Sequence, residues 1–225
     1  MPTSVRGYTD AGQAAAACAG LIKEALGAAE RAGRPCVLGL SGASAWKSVY
    51  FLLTKDKALD WDGAEFYWAD EAYVGPEHKD SAYRAARDLL LAPLGIADGA
   101  VHAVPTAAKD PDADARRYET LLRARWPGAA APAFDVVLLG DRALSRGSAA
   151  SEALVAADRP AGDAAGRWVA VNRTPPARKP GAEAHEGPRI RLQLSAAALT
   201  EARFALRFTV GEKDEPSSLE ITDRV

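Results

Sequence analysis

Short apolar segments alternate with helix-forming segments along most of this 225-residue chain, and that alternation limits the folds it can adopt. The apolar segments have the length and the β-branched or aromatic content of buried strands. Strands separated by helices form βαβ units, whose strands lie parallel in one sheet. The sequence therefore predicts a single α/β domain over residues 1–225, with a mostly parallel, twisted sheet and helices on both of its faces.

The same patterns give approximate bounds for each element. Strands are predicted over 36–40, 64–68, 101–104, 133–139, 168–171, 190–194 and 204–210. Helices are predicted over 10–32, 46–53, 81–91, 111–126, 151–157 and 196–201, with Asp10 as the N-cap of the first. Residues 70–80 and 173–188 are predicted loops because they are rich in glycine, proline and charge. The polar tail after Pro216 is expected to fray.

Charge and composition exclude several classes of partner. The formal net charge is −2 and the pI is near 6.0, so no basic field favours nucleic acid. No apolar run approaches the roughly 20 residues that span a bilayer, and the first residues do not resemble a signal peptide. Cys18 and Cys36 are too few for a disulfide framework and are predicted to be buried free thiols. We therefore expect a cytoplasmic protein that binds neither nucleic acid nor a membrane.

The first predicted strand runs into a turn of small residues, Ser41, Gly42, Ala43 and Ser44, which opens a helix. A helix N-terminus offers free backbone N–H groups and the positive end of a dipole, and two hydroxyl groups add donors for phosphate oxygens. The glycine and lysine spacing of a P-loop is absent. The alternative is a tight turn in which Ser44 only caps the helix.

Asp70 and Glu71 directly follow the second predicted strand, at the edge of the sheet where α/β proteins bind their ligands. Acidic groups there can orient a sugar hydroxyl or act as a base. His78 is the histidine nearest to this pair in sequence. The alternative is a solvated pair of loop residues. No histidine, cysteine or carboxylate spacing typical of a metal site occurs, so no metal and no cofactor is predicted.

Two cations stand beside these motifs. Arg84 lies in the first turn of a predicted helix, where the dipole disfavours a cation, which favours a ligand or a carboxylate as its partner. Lys213 follows the last long predicted strand and is placed to approach an anion as a point charge. A salt bridge for Arg84 and a solvated turn for Lys213 are the structural alternatives.

A buried strand is predicted to end at Gly140, and the residues that follow it are unusual for a catalytic edge. Asp141, Arg142 and Arg146 occupy this position, and no histidine is present. An arginine stays protonated near neutral pH and cannot accept a proton from water. The segment therefore supplies cations for an anionic ligand but lacks an ordinary general base.

Taken in order, these motifs resemble the 6-phosphogluconolactonase family, which is similar in fold to the glucosamine-6-phosphate deaminases and isomerases. The first blocks, Leu38-Gly-Leu-Ser-Gly-Ala-Ser44, Phe66-Tyr-Trp-Ala-Asp-Glu-Ala72 and His78-Lys-Asp-Ser-Ala-Tyr-Arg84, look like L-x-L-S-G-G-S-T, F-x-W-x-D-E-R and H-x-D-S-N-Y-R. The later ones, Phe134-Asp-Val-Val-Leu-Leu-Gly140, Arg189-Ile-Arg-Leu-Gln-Leu194 and Phe208-Thr-Val-Gly-Glu-Lys213, look like F-D-L-x-L-L-G and the family's C-terminal strands. The resemblance implies a Rossmann-like fold and a hydrolase of carbohydrate metabolism, in the pentose phosphate pathway.

The chain departs from the family pattern at positions that the resemblance makes functional. In an ungapped alignment Arg146 stands where the family carries the histidine proposed as its general base. Ala72 replaces the arginine of D-E-R, Ala82 replaces the asparagine of S-N-Y-R, and Ala45 replaces the threonine of the phosphate loop. These departures predict weak or altered lactone hydrolysis.

Three functions follow from this reading. The first is a divergent family member that binds a sugar phosphate or another anionic ligand, in which Asp70, Glu71 or His78 does acid–base work and Arg142 or Arg146 replaces the missing cation. The second is a non-catalytic member that serves as a ligand-binding or protein-interaction scaffold. The third, which ranks below both, is a conventional lactonase with an unusual base. A monomer or a homodimer is expected.

Overall fold

The structure is a computed structural model that describes residues 3–42, 46–129, 132–139, 169–172, 188–192, 204–209 and 217–223. Its helices are α1 (Ala11–Arg31), α2 (Trp46–Lys55), α3 (Ala82–Ala86), α4 (Ala92–Leu94) and α5 (Pro111–Arg125). A π-helical turn, Arg87–Leu91, joins α3 to α4, and a 3₁₀ turn covers Asp98–Ala100. The strands are β1 (Thr3–Tyr8), β2 (Cys36–Leu40), β3 (Ala64–Trp68), β4 (Asp70–Ala72), β5 (Val101–His102), β6 (Val136–Leu139), β7 (Val169–Asn172), β8 (Arg189–Leu192), β9 (Phe204–Thr209) and β10 (Ser217–Asp223).

Within the described residues, the main sheet has seven strands in the order β1-β10-β9-β6-β2-β3-β5. Every pair between β9 and β5 is parallel, whereas β10 runs antiparallel to β9 and to β1. The predicted α/β class with a mostly parallel sheet is therefore confirmed. That the whole chain forms one domain stays a prediction.

Helices cover both faces of this sheet. On one face α1, α2 and the π-helical turn bring Ile22, Leu53 and Leu90 against Leu38 and Leu40 of β2. On the other face Trp126, the C-cap residue directly after α5, has its ring 5.5 Å from that of Tyr67 and 5.4 Å from that of Phe134. Because successive side chains of β2 and β3 point to opposite faces of the sheet, these strands contribute to an apolar layer on each face. Cys18 and Cys36 are buried in this core and form no disulfide, as predicted.

The C-terminal tail corrects one prediction. Residues Ser217–Asp223 do not fray but form β10, which is hydrogen-bonded to β9 on one side and to β1 on the other. The alternation of Leu219, Glu220 and Ile221 is a strand pattern that the polar flanks obscured. The N-terminal strand β1, which also escaped prediction, closes the same edge.

A second, three-stranded sheet corrects the predicted loop over residues 70–80. Asp70–Ala72 is strand β4, which pairs antiparallel with β8, and β8 pairs antiparallel with β7. The Tyr73 amide extends this pairing by donating to the Pro188 carbonyl at 2.8 Å. A strand this short is defined by its partner rather than by its own sequence, and the partner lies more than a hundred residues away in the chain. Consequently the sheet places Asp70 and Glu71 in a fixed backbone.

Helix bounds differ from the predicted ones by a few residues. The Asp10 side chain caps α1 by accepting from the Gly12 amide at 2.6 Å, as predicted. The predicted helix over 81–91 instead continues to Leu94, although Pro93 cannot donate a backbone hydrogen bond. The predicted helices over 151–157 and 196–201 and the loop over 173–187 lie outside the described residues.

Candidate functional site

The order of the strands changes direction between β2 and β6, which makes the carboxyl ends of these two strands a topological switch point. From β2 the chain proceeds to β3 and β5 on one side, and later returns to β6 and β9 on the other side of β2. Open α/β sheets bind ligands outside the carboxyl ends of the strands at such a switch point. Ser41 and Gly42 follow β2 at this edge, and Asp70 follows β3 with only Ala69 between them.

Gly42 is required by a close approach of two chain segments. A Cβ atom on Gly42 would lie 2.7 Å from the Cβ of Ala82 and 3.1 Å from its Cα, well inside ordinary contact. The turn after β2 therefore packs directly against the start of α3. This contact joins Ser41 and Gly42 to the segment that carries Ser81, Tyr83 and Arg84.

Ser41 is buried at the start of this turn, with 2% of the residue exposed. Its carbonyl accepts a hydrogen bond from the hydroxyl of Tyr50 at 3.2 Å. Its own hydroxyl has no hydrogen-bond partner within the described part of the chain. Buried polar atoms are almost always paired in folded proteins, so this hydroxyl is available to a ligand or to water.

Asp70 forms an ion pair with Arg189 of β8. The guanidinium Nε and Nη2 donate to the two carboxylate oxygens at 2.9 and 2.5 Å. Burial acts to lower the pKa of Arg189, but the attraction of Asp70 and its hydrogen bonds raise it overall. The Asp70 side chain is 20% exposed and that of Arg189 only 8%, so the carboxylate is the more accessible partner.

Glu71 points to a different set of donors. Its Oε1 accepts from the amides of Ala72 and Ala82 at 2.8 and 2.7 Å, and its Oε2 accepts from the amide of Tyr83 at 2.7 Å. The Ser81 hydroxyl lies 3.4 Å from the same Oε2. Burial raises the pKa of Glu71 to about 7, against the effect of the Ala82 and Tyr83 amides.

His78 and Arg84 lie nearby in sequence but hold separate contacts. The amide of Asp80 donates to Nδ1 of His78 at 3.2 Å, and the imidazole is about half exposed. Arg84 donates to the Glu77 carbonyl at 2.7 Å, and its Nε lies 3.5 Å from the Asp88 carboxylate. The described geometry thus joins Ser41, Gly42 and Glu71 through α3, with Asp70 next to Glu71 on β4.

Comparison with known proteins identifies the family. The family described as glucosamine-6-phosphate isomerases and 6-phosphogluconolactonase matches residues 9–141, which is more than half of the chain. The chain belongs to this family. It is 40% identical over 105 residues to a 6-phosphogluconolactonase of Synechocystis, an alignment that covers 46% of this chain and 43% of that protein. It is 33% identical over 149 residues to a 6-phosphogluconolactonase of Mycobacterium leprae, covering 62% of this chain and 59% of the relative.

Solved structures support the same assignment. The fold matches a 6-phosphogluconolactonase from Trypanosoma brucei with a TM-score of 0.64 and 26% identity, over 90% of this chain and 80% of that one. It matches a 6-phosphogluconolactonase from Leishmania guyanensis with a TM-score of 0.66 and 22% identity, over 90% and 79%. The chain is a 6-phosphogluconolactonase-like protein, and it spans about half the length of the curated relatives it matches.

Two of the departures that the resemblance implies lie within the described site. Ala72, which replaces the arginine of D-E-R, is fully buried and pairs across the second sheet with Arg189. Ala82, which replaces an asparagine, is buried against Gly42. Ala72 thus lies opposite Arg189, the ion-pair partner of Asp70, and Ala82 contacts the turn after β2.

Five predicted ligand residues cannot be located. Ala43, Ser44, Arg142, Arg146 and Lys213 lie outside the described residues, and the last three also lie beyond the matched segment 9–141. Their roles stay predictions.

Sequence reasoning missed Arg189, which it assigned only to a strand. The ion pair with Asp70 spans 119 residues of chain, and no local pattern marks it. The sequence offers no signal that singles it out, since Arg189 and Arg191 alternate with Ile190 and Leu192 as in a strand with one solvated face. Among the residues described here, no group of three potential metal ligands occurs and no helix could cross a membrane.

Proposed function

We propose that this chain binds a sugar phosphate or a related anionic ligand at the carboxyl ends of β2 and β6, and that its lactone hydrolysis is weak or altered. Membership of the family supports the ligand class. The relatives that carry the name 6-phosphogluconolactonase support the substrate against which the chain is tested first.

The observation that carries the proposal is the buried hydroxyl of Ser41, which no described group pairs with. A hydroxyl donates to an anionic oxygen in a short, charge-assisted hydrogen bond. The turn that holds Ser41 is fixed by the contact between Gly42 and Ala82. A ligand oxygen that reaches this turn would give the Ser41 hydroxyl the hydrogen-bond partner that it lacks.

Chemistry at this site is limited by its proton acceptors. Hydrolysis of a lactone requires a base that removes a proton from the attacking water, and the resemblance puts an arginine, Arg146, at the position of that base. Asp70 is partly exposed but paired with Arg189, and Glu71 accepts from backbone amides. His78 is the remaining candidate. Loss of a positioned base lowers a rate by about 10²–10⁴-fold, which is the deficit we expect.

Binding is tested by the thermal unfolding of the full chain in the presence of 6-phosphogluconate. A ligand that binds only the folded state raises the melting temperature by mass action. We expect a concentration-dependent rise that Ser41→Ala abolishes and that Ser48→Ala, a change on the exposed side of α2, leaves intact. No rise with the wild-type chain would refute the proposed ligand class.

Turnover is tested by following 6-phosphogluconolactone hydrolysis against the buffer rate. We expect little acceleration by the wild-type chain and a gain with Arg146→His, which restores an imidazole at the family position. Arg142→His is the matched control and should give no gain. Efficient wild-type turnover would overturn the altered-chemistry part of the proposal and leave the binding part standing.

A non-catalytic scaffold is the second candidate, and one observation favours it. Both carboxylates that follow β3 already have partners in the folded chain: Asp70 has Arg189, and Glu71 has the start of α3. Neither is a free base in this arrangement. Binding of 6-phosphogluconate without turnover, by the wild-type chain and by Arg146→His alike, would select this candidate.

A further inference from the structure

The backbone amides at the start of α3 all donate hydrogen bonds to groups of the same chain. The amides of Ala82 and Tyr83 donate to Glu71, and the Arg84 amide donates to the Ser81 hydroxyl at 3.1 Å. The next amide, of Ala85, donates to the Ser81 carbonyl at 3.2 Å. Since the first-turn donors are all taken, this end of the helix is not an anion site. These hydrogen bonds instead fix the position of this end of the helix.

This end of the helix is in contact with the candidate ligand turn. Gly42 lies so close to Ala82 that any side chain on it would displace one of the two segments. Ala82 is also a residue whose amide Glu71 holds. A continuous path of contacts therefore runs from the Glu71 carboxylate through the Ala82 backbone to the turn that carries Ser41.

Glu71 itself is unsuited to touch a ligand. Both of its carboxylate oxygens already accept hydrogen bonds from neighbouring amides, whereas the Ser41 hydroxyl has no such partner within the described residues. Asp70, next to it on the opposite face of β4, is the more exposed of the two. The two adjacent acids therefore have different roles: Asp70 is the more accessible one, and Glu71 holds other parts of the chain in place.

We propose that Glu71 is a positioning residue: its carboxylate holds α3 against the turn after β2, and the contact between Gly42 and Ala82 sets the place of the Ser41 hydroxyl. Ligand affinity then depends on Glu71 although Glu71 does not meet the ligand. The affinity part of this inference rests on the proposed function; the positional part does not.

The positional part is tested by the amide NMR resonance of Gly42 in Glu71→Gln, a variant of nearly the same size. An amide side chain can accept at one end only, so at least one of the bonds to α3 is lost. We expect the Gly42 resonance to move in Glu71→Gln and to return partway in Glu71→Asp. Glu77→Gln, a change at an exposed acid on the same loop, is the control and should leave Gly42 unmoved. A folded Glu71→Gln with an unmoved Gly42 would overturn the proposal.

The contact itself is tested by a double-mutant cycle, which does not require Glu71 variants to fold. Gly42→Ala should displace the turn by on the order of 1 Å and lower 6-phosphogluconate affinity by up to about 100-fold. Ala82→Gly removes the nearest atom, so the double variant should recover part of that loss. Gly20→Ala, at a glycine on α1 with open space around it, should change nothing. Additive effects of the two substitutions would overturn the proposal.

Failure of the ligand and failure of the positioning role give different results. If the wild-type chain does not bind 6-phosphogluconate, the proposed function fails, while the Gly42 resonance and the unfolding free energies of the same cycle still decide the positioning role. If the ligand binds but the two substitutions act independently in both measurements, the positioning role fails and the proposed function stands.

Discussion

Asp135 and Glu71 are both buried acids, but they lie at opposite ends of the strands of the main sheet. Asp135 lies at the amino ends of the strands, called here the amino edge, and Glu71 at their carboxyl ends, called here the carboxyl edge, and the two acids have different hydrogen-bond donors. Asp135, just before β6, accepts from the Arg34 guanidinium at 2.8 and 2.5 Å and from the Val37 amide at 2.9 Å. Glu71, beyond the end of β3, accepts from amides and a hydroxyl. Asp135 is hydrogen-bonded to a positively charged guanidinium group, whereas the hydrogen bonds to Glu71 come from neutral amides and a hydroxyl.

The difference separates the end of the sheet that Asp135 stabilises from the end at which we propose that the ligand binds. At the amino edge the hydrogen bonds from Arg34 to Asp135 raise the pKa of the arginine and fasten β6 to β2. At the carboxyl edge burial raises the pKa of Glu71 to about 7, so this acid changes charge near neutral pH. The edge that holds Glu71 should therefore respond to pH near neutrality.

The largest effect is expected from Asp135→Ala. It removes the carboxylate from a partly buried ion pair and leaves the buried Val37 amide without an acceptor, so the free energy of unfolding should fall by about 3–5 kcal/mol. Urea unfolding measures this fall. The rise in melting temperature that 6-phosphogluconate causes should keep its size, because Asp135 lies at the edge away from the ligand turn.

Its control is Asp56→Ala, which breaks the exposed pair between Lys23 and Asp56 and should leave urea unfolding nearly unchanged. A loss of ligand response in folded Asp135→Ala would break the separation between the two edges.

How much of this comparison the sequence could predict depends on the range of each interaction. The strands β2, β3 and β6 follow from local apolar patterns, and Ser41 and Asp70 follow from their places after those strands. The bond between Arg189 and Asp70 spans 119 residues, and the bonds of Glu71 to α3 span 11 and 12. No periodicity encodes contacts of that kind, because the turn and the second sheet that create them are properties of the assembled chain.

The same limit explains why the sequence predicts that Glu71 is a candidate base. An acid at the carboxyl end of a strand is a good candidate for chemistry on position alone. Its solvent exposure and its partners are tertiary facts, and they assign the accessible place to Asp70 instead. The tail that forms β10 shows the same limit, since its two partner strands lie at opposite ends of the sequence.

A second, smaller effect is expected from pH. The Glu71 carboxyl ionises near its ordinary pKa of 4.5 in the unfolded chain but near 7 in the folded one. Between these values the folded state keeps a proton that the unfolded state has released, so stability should fall as pH rises from about 4.5 to about 7. The loss is on the order of 3 kcal/mol.

This pH effect is read as the difference between the wild-type chain and Glu71→Gln in urea unfolding across that range. Glu71→Gln should lose the downward slope, and Glu77→Gln, at an exposed acid, should keep it. An identical slope in the wild-type chain and Glu71→Gln would mean that the amides of α3 hold Glu71 ionised, and that the two edges differ less than their partners suggest.

The smallest effect sharpens the comparison at a single neutral group. The Tyr118 hydroxyl of α5 accepts from the Trp68 amide at 2.7 Å and donates to the Trp68 carbonyl at 3.0 Å, at the last residue of β3. Tyr118→Phe would leave both buried peptide groups unpaired and should lower the free energy of unfolding by about 2 kcal/mol. Tyr67→Phe removes a hydroxyl whose partner, Glu65, keeps its bond to Arg125, and should cost about 0.5–1 kcal/mol. Equal losses of unfolding free energy in the two variants would contradict this expectation. They would mean that the Tyr118 hydroxyl, which pairs both peptide groups of Trp68, contributes no more to stability than the Tyr67 hydroxyl, which lies beside a charged pair.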